Sequence, residues 1–191
     1  MSDIFVYNTA DPSRRFVKES AQFKCSGYGL RELIKNLDSP VGAEIGIAEG
    51  YTSEFLLDSN EKLTLYCIDP FVNYIDWNGN NLNERDDVCH IFQNKVNRFG
   101  NRVKFIRKFS DDAVSDIEDN SLDFIFIDGL HTYDQVTKDM QNYYPKLKSN
   151  GIFAGHDFTA IQCINKAVND FAENKNKTVL KTECDVWYWY K

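Results

Sequence analysis

Between residues 41 and 174 the chain alternates short apolar segments with longer ones whose apolar residues recur at helical spacing. That alternation constrains the fold more than any other feature, because it is the pattern of a parallel sheet covered by helices on both faces. Strands are expected at 41–47, 63–69, 102–107, 122–127 and 151–157. Helices are expected at 51–60, 85–100, 132–144 and 161–174, and residues 178–190 read as two strands in a hairpin. The helix at 85–100 carries Val88, Ile91, Phe92, Val96 and Phe99 as its apolar stripe, with Gly100 as its stop. In the helix at 132–144, Thr132 and Gln135 have the spacing of a capping box, and Val136, Met140 and Tyr143 form the stripe. The expected fold is therefore α/β: a doubly wound, seven-stranded sheet, mostly parallel, with an antiparallel C-terminal hairpin strand.

At 191 residues the chain is expected to be a single domain, 1–191. Residues 1–40 hold one helix, 29–37, as an N-terminal cap. Residues 71–84 form the one long irregular segment, and its Phe71, Tyr74 and Trp77 make a substrate lid about as good a reading as a plain surface loop. The net charge of −7 disfavours nucleic acid and anionic membrane as main partners. No apolar run approaches the roughly 20 residues of a membrane span, and the first residues lack a signal-peptide core. Five scattered cysteines, 25, 67, 89, 163 and 184, contain no Cys-x-x-Cys pair, which suits a reducing, cytoplasmic setting.

Two strand ends carry the chemistry. The first, "EIGIAEGYTS", sets Glu44, Gly46, Ala48 and Gly50 at alternate positions between a strand and a helix. Glycines there let a ligand approach the backbone. Asp69, closing the second strand, is placed to bond the hydroxyls of a ribose. A dinucleotide fingerprint would need glycines at 46, 48 and 51, and the residues are Gly, Ala and Tyr. Glu44 and Glu49 would also repel a pyrophosphate, whereas the sulfonium and ammonium of S-adenosylmethionine suit a carboxylate. A glycine-containing turn with no ligand remains the plain alternative.

The second end is "LDFIFIDGLHTYDQV", where an apolar strand delivers Asp128 and then His131, matched by "GHD", His156 and Asp157, after the fifth strand. If the two strands are neighbours, Asp128 and Asp157 emerge side by side at the carboxyl edge, where open α/β sheets bind ligands. Two carboxylates there repel unless a cation or proton intervenes. Their oxygens suit Mg²⁺, and adding His156 admits Mn²⁺ or Zn²⁺. His131, with an ordinary pKa near 6.5, can take a proton from a hydroxyl. His90 reads as a surface residue.

The stretches "AEIGIAEGYTSEFLL", "YCIDPF" and "LDFIFIDGLHTYDQVTKDMQNYYPKLKSNGIFAGHDF" resemble the class I S-adenosylmethionine-dependent methyltransferases. They are similar in particular to the small O-methyltransferase-like branch with an IDGxHxY strand end, which includes enzymes of macrolide sugars and aminocoumarins. The resemblance runs continuously over 41–158 and implies a Rossmann-like sheet. It implies a cofactor loop of Glu44, Gly46, Ala48 and Gly50, with Thr52 and Ser53 by the methionine carboxylate, Asp69 on the ribose, and Ser110 and Asp111 at the adenine. It also implies a metal at Asp128, His156 and Asp157. Two positions depart from the branch: His156 stands where a second Asp is common, and Leu130 where several relatives carry the base, which leaves that role to His131. Ala48 replaces the middle glycine, a change that ordinary backbone angles tolerate.

The expected activity is S-adenosylmethionine-dependent methyl transfer to a small hydroxylated acceptor such as a sugar, with Asp128 and His131 as catalytic residues and Mg or Mn as the cation. A second copy of the chain is a candidate partner. The rival class is a non-catalytic S-adenosylmethionine- or nucleotide-binding protein of the same fold, which has little need of the His131, His156 and Asp157 cluster. A nicotinamide enzyme could be read from Tyr144 and Lys148, but Pro145 breaks the helix that pair requires.

Overall fold

The computed structural model describes residues 26–75, 79 and 85–191, with the backbone also at 5–6, 17–18 and 81–82. Seven strands form the main sheet: β1 (Val41–Ile45), β2 (Thr64–Ile68), β3 (Val103–Ile106), β4 (Leu122–Ile127), β5 (Leu147–Gly155), β6 (Leu180–Lys181) and β7 (Trp187–Tyr190). Their order is β6-β7-β5-β4-β1-β2-β3. The five from β5 to β3 run parallel, and β7 is antiparallel to both its neighbours. The chain winds outward from β1 to β3, then returns to lay β4 on the other side of β1. That reversal is the switch point where such sheets open a crevice.

Alternation along the strands divides the core in two. Phe124 and Phe126 of β4 face one side, with Leu30 and Ile34 of α1 (Ser26–Ile34), Leu56 of α2 (Tyr51–Ser59) and Phe92 of α3 (Arg85–Val96). Ile125 and Ile127 face the other, with the stripe Val136, Met140 and Tyr143 of α5 (Tyr133–Tyr143) and Ile164, Val168 and Phe171 of α6 (Gln162–Asn174). Trp187 and Trp189 join this second cluster, so one face of the C-terminal strand belongs to the core. Each fully buried side chain of this size contributes about 1.5–3 kcal/mol.

Several elements differ from expectation. The N-terminal helix spans Ser26–Ile34 where 29–37 was expected, and its Gly27 and Gly29 sit close against Phe55 and the C-terminal hairpin. Residues 1–25 of the expected cap otherwise lie outside the described residues, apart from a backbone pairing of Phe5–Val6 with Val17–Lys18. Of the expected stripe on 85–100, Val88, Phe92, Val96 and Phe99 pack into the core, Cys89 joins them and Ile91 faces solvent; α3 itself ends at Val96, where a 3₁₀ turn takes over. The capping box is half formed: Thr132 Oγ1 accepts from the Gln135 amide at 3.3 Å, while the Gln135 side chain turns elsewhere. Of the expected lid, Phe71 is buried against the rings of Phe92 and Phe105 and so belongs to the core. Tyr74–Ile75 pairs with Asn81–Leu82 as a small antiparallel ribbon, and Trp77 lies outside the described residues. Tyr144 sits in a 3₁₀ turn and Lys148 on β5, which removes the nicotinamide-enzyme pair.

Candidate functional site

Strand register builds the site. Ile45 pairs with Ile127, and Ile127 with Gly155. The Asp128 amide donates to Ile45 O at 2.8 Å and the His156 amide to Ile127 O at 3.1 Å. Asp128 and His156 are therefore the adjacent pair, one residue short of the expected Asp128–Asp157 match. Asp157 returns to the site because its backbone turns left-handed, φ 59°.

At this edge lies a cavity of about 710 Å³, walled by the ends of β1, β2 and β4 and by residues of α3, α4 (Ser110–Ala113) and α5. Its floor is acidic. Glu44 is 2% exposed and accepts a hydrogen bond from Ser53 Oγ. Burial above all pushes its carboxyl up to about 8; the Ser53 hydrogen bond opposes this, and the charges of Asp128 and Asp69 add to it. Ser53 is thus engaged behind the wall, not at the cavity where the resemblance put it, and Thr52, whose hydroxyl lies 3.0 Å from that of Ser26, is a wall residue.

Asp69 lines the cavity and also holds the loop that precedes α2. Its Oδ2 accepts from the amides of Ile47 and Ala48 at 3.0 and 3.2 Å, and Oδ1 from Phe71 at 2.8 Å. The loop glycines are also required by protein packing. A Cβ on Gly46 would stand 2.3 Å from Asp128 O, and one on Gly50 2.5 Å from the Phe92 ring. Ala48 takes φ 48°, so the ordinary backbone angles under which alanine is tolerated are not met, and an L-residue there costs roughly 1–2 kcal/mol.

At the far wall His131 stands between two acids, its Nε2 3.4 Å from Asp128 Oδ1 and 3.3 Å from Asp157 Oδ2. Burial alone would lower its pKa; the two carboxylates outweigh that and raise it. His156 Nε2 lies 3.2 Å from the carbonyl of Cys184, and since a carbonyl only accepts, that nitrogen carries a proton. Its Nδ1 lies 3.1 Å from Asp157 Oδ1 and 3.9 Å from Asp128 Oδ1. Burial opposes the charge on this ring too, yet Asp157 and Asp128 carry its pKa to about 9. Asp157, despite burial, is held low by both imidazoles. Among the described residues, Asp128, His131 and Asp157 offer ligand atoms that all lie within 4.8 Å of one another, a donor set that fits a divalent cation.

Toward β3, Ser110 and Asp111 line the cavity at the start of α4. Asp111 is engaged with Lys138 Nζ at 2.6 Å and Asn142 Nδ2 at 3.3 Å. Sequence reasoning missed Gln135, Asp139 and Arg85 in this wall. Asp139 had a signal, since it interrupts the α5 stripe as an acid between Val136 and Met140. Arg85 had none; it sits 3.9 Å from Asp69 with its guanidinium over the rings of Phe71 and Tyr74. His90 is exposed, as expected.

A family described as "Methyltransferase domain" matches residues 43–158. An uncharacterised protein of Acanthamoeba polyphaga mimivirus is 29% identical over 143 residues, 69% of this chain and 61% of its own length. An uncharacterised protein of Sinorhizobium fredii is 39% identical over 54 residues, 28% of this chain and 6% of its own. The chain thus spans less than two thirds of either relative. Among solved structures, the O-methyltransferase NovP aligns with a TM-score of 0.64 at 16% identity, covering 86% of this chain and 77% of that one. An O-methyltransferase from Bacillus cereus in complex with SAH gives 0.59 at 15% identity over 85% and 79%. A precorrin-6y C5,15-methyltransferase from Geobacter metallireducens gives 0.58 at 15% identity over 82% and 81%. At these identities the likeness is one of fold. No helix among the described residues is long and apolar enough to cross a membrane.

Proposed function

The chain belongs to the methyltransferase-domain family, and on that premise we propose that it transfers a methyl group from S-adenosylmethionine to an oxygen of a small hydroxylated acceptor such as a sugar. The observation that carries this reading is His131 held between Asp128 and Asp157 in the wall of a cavity with an acidic floor. In this reading residues 1–191 act as one domain, 1–40 as its cap and 71–84 as its rim, in the cytoplasm and with a homodimer as the assembly to look for.

The cavity divides by chemistry. Glu44 and the loop 46–50 receive the cationic methionine end, Asp69 the ribose, and the Ser110 end the purine. When bound, S-adenosylmethionine supplies an electrophilic methyl, so the protein's task is to align the acceptor oxygen and take its proton. His131 takes that proton, and Asp128 and Asp157 steady its ring and the charge it gains. Asp128, Asp157 and His156 Nδ1 would hold a divalent cation, whose chemistry is to acidify the acceptor hydroxyl. The tighter grouping of Asp128, Asp157 and His131 is the rival ligand set, and it would remove His131 from proton transfer.

Calorimetric titration of S-adenosylmethionine, in EDTA and again with Mg²⁺ or Mn²⁺, tests the reading, repeated with Asp69→Ala. Micromolar binding lost in the variant, followed by methylation of hydroxylated acceptors, is the expected result. Absence of binding by folded protein in every condition would overturn it. Binding without transfer to any acceptor would favour the non-catalytic reading.

A further inference from the structure

Among the described residues, Arg85 is the one side chain lining the cavity whose positive charge does not depend on pH, in a wall otherwise set with acids. The side chain is only 11% exposed, and none of its N–H groups makes a hydrogen bond among the described residues; Nε is sealed from solvent with no partner. Its ion pair with Asp69 Oδ2 is long, 3.9 Å, and that oxygen already accepts from the amides of Ile47 and Ala48. Leaving a guanidinium this deep without hydrogen bonds is costly. It is nonetheless held in place. The rings of Phe71 and Tyr74 flank it, with centroids at 5.8 and 5.7 Å, and the Arg85 amide donates to Asn73 Oδ1 at 3.5 Å, which ties the start of α3 to the cavity rim.

The methyl donor, placed as above, does not account for this cation. Its sulfonium and ammonium call for acids, its ribose is neutral, and its one carboxylate belongs to the methionine end at the loop 46–50. The acceptor is what remains. It meets the cavity at the exposed rim residues Val72 and Tyr74, and Tyr74 is one of the two rings against Arg85. A guanidinium held by its faces presents its edge, a planar fork of donors that matches a carboxylate or a phosphate two oxygens at a time.

We infer that Arg85 is a specificity-determining residue for the acceptor, and that the acceptor carries an anionic oxygen group, a carboxylate or a phosphate, as well as the hydroxyl that is methylated. The substrate class is then a hydroxy acid or a phosphorylated sugar in preference to a neutral glycoside. This rests on the methyltransferase reading above and names the substrate class within it.

The test titrates inorganic phosphate and, separately, glycolate against the full chain saturated with S-adenosylhomocysteine, in EDTA so that no metal ion gathers the anion. Line broadening of each probe's own resonance gives its dissociation constant. At least one probe is expected to bind wild type, and which of the two does so tells phosphate from carboxylate. Arg85→Gln should weaken that probe by about tenfold or more, through loss of a charge-assisted fork. Arg85→Lys, which keeps the charge and loses the fork, should weaken it severalfold and carries the test by itself if the first variant does not fold. Both variants should hold S-adenosylhomocysteine within about threefold of wild type, since the cation serves the acceptor. Three results would overturn the inference and leave the methyltransferase reading standing: no binding of either probe, binding unchanged in the folded variants, or a loss of S-adenosylhomocysteine affinity as large as the loss of the probe. Failure of folded wild type to bind S-adenosylhomocysteine removes both.

Discussion

Ser53 donates its hydroxyl hydrogen to Glu44 beneath the cavity floor, and both side chains are withdrawn from solvent. Without a cationic ligand beside it, burial holds the Glu44 carboxyl's pKa up to about 8 rather than the ordinary 4.5. The folded protein therefore binds a proton that the unfolded chain releases between pH 4.5 and 8. Stability contributed by this group is present below that window and is lost as pH rises through it, at about 1.4 kcal/mol per pH unit at most. We predict that the ligand-free melting temperature falls from pH 5 to pH 8, and that Glu44→Gln flattens the fall. Parallel profiles for the two proteins would refute the assignment.

His131 is predicted to govern turnover rather than cofactor affinity. His131→Gln should lower kcat by about a hundredfold to ten-thousandfold, with the S-adenosylmethionine dissociation constant within about threefold of wild type. Single-turnover rates with a saturating acceptor make the comparison. A variant of near-normal rate would move the base elsewhere in the cavity.

The cation site makes a separable prediction. Mn²⁺ or Mg²⁺ at a hundred times its dissociation constant should stabilise the fold by about 2.7 kcal/mol relative to EDTA. Asp157→Asn should abolish that shift, and asparagine tolerates the left-handed backbone found there. Thermal melts suffice; identical curves with and without metal would count against a resident cation.

Two neighbouring loop positions should respond in opposite senses. Ala48→Gly relieves a left-handed alanine worth roughly 1–2 kcal/mol and gives up about 0.4–1 kcal/mol of unfolded-chain entropy, so a small net gain is expected. Gly46→Ala drives a Cβ against Asp128 O and should cost about 3 kcal/mol or more. Urea titrations of the two variants decide it, and equal midpoints would contradict the backbone described.

The strand ends were legible in sequence because a buried parallel strand announces itself as a continuous apolar run, and the first polar residue after it lands on the carboxyl edge. Asp69 and Asp128 were found that way, while Glu44 came from its place in the glycine-containing stretch and His131 from its spacing after Asp128. What could not be read was direction. Ser53 turned inward to Glu44, Asp111 outward to Lys138, and Phe71 into the aromatic core, choices set by neighbours far away in sequence. Asp139 shows the same limit from the other side, because a polar residue in a helix stripe reads as a flaw until the cavity beside it is known.

The contact between Gly46 and the Asp128 backbone ties the loop proposed for the methyl donor to the loop proposed for the acceptor. With the Asp69 carboxylate also bonded to the Ile47 and Ala48 amides, the two loops form one connected plate. A change of acceptor is then most easily made at the margin of that plate, around Val72, Tyr74 and Leu130, which is where libraries aimed at retargeting this protein should be concentrated.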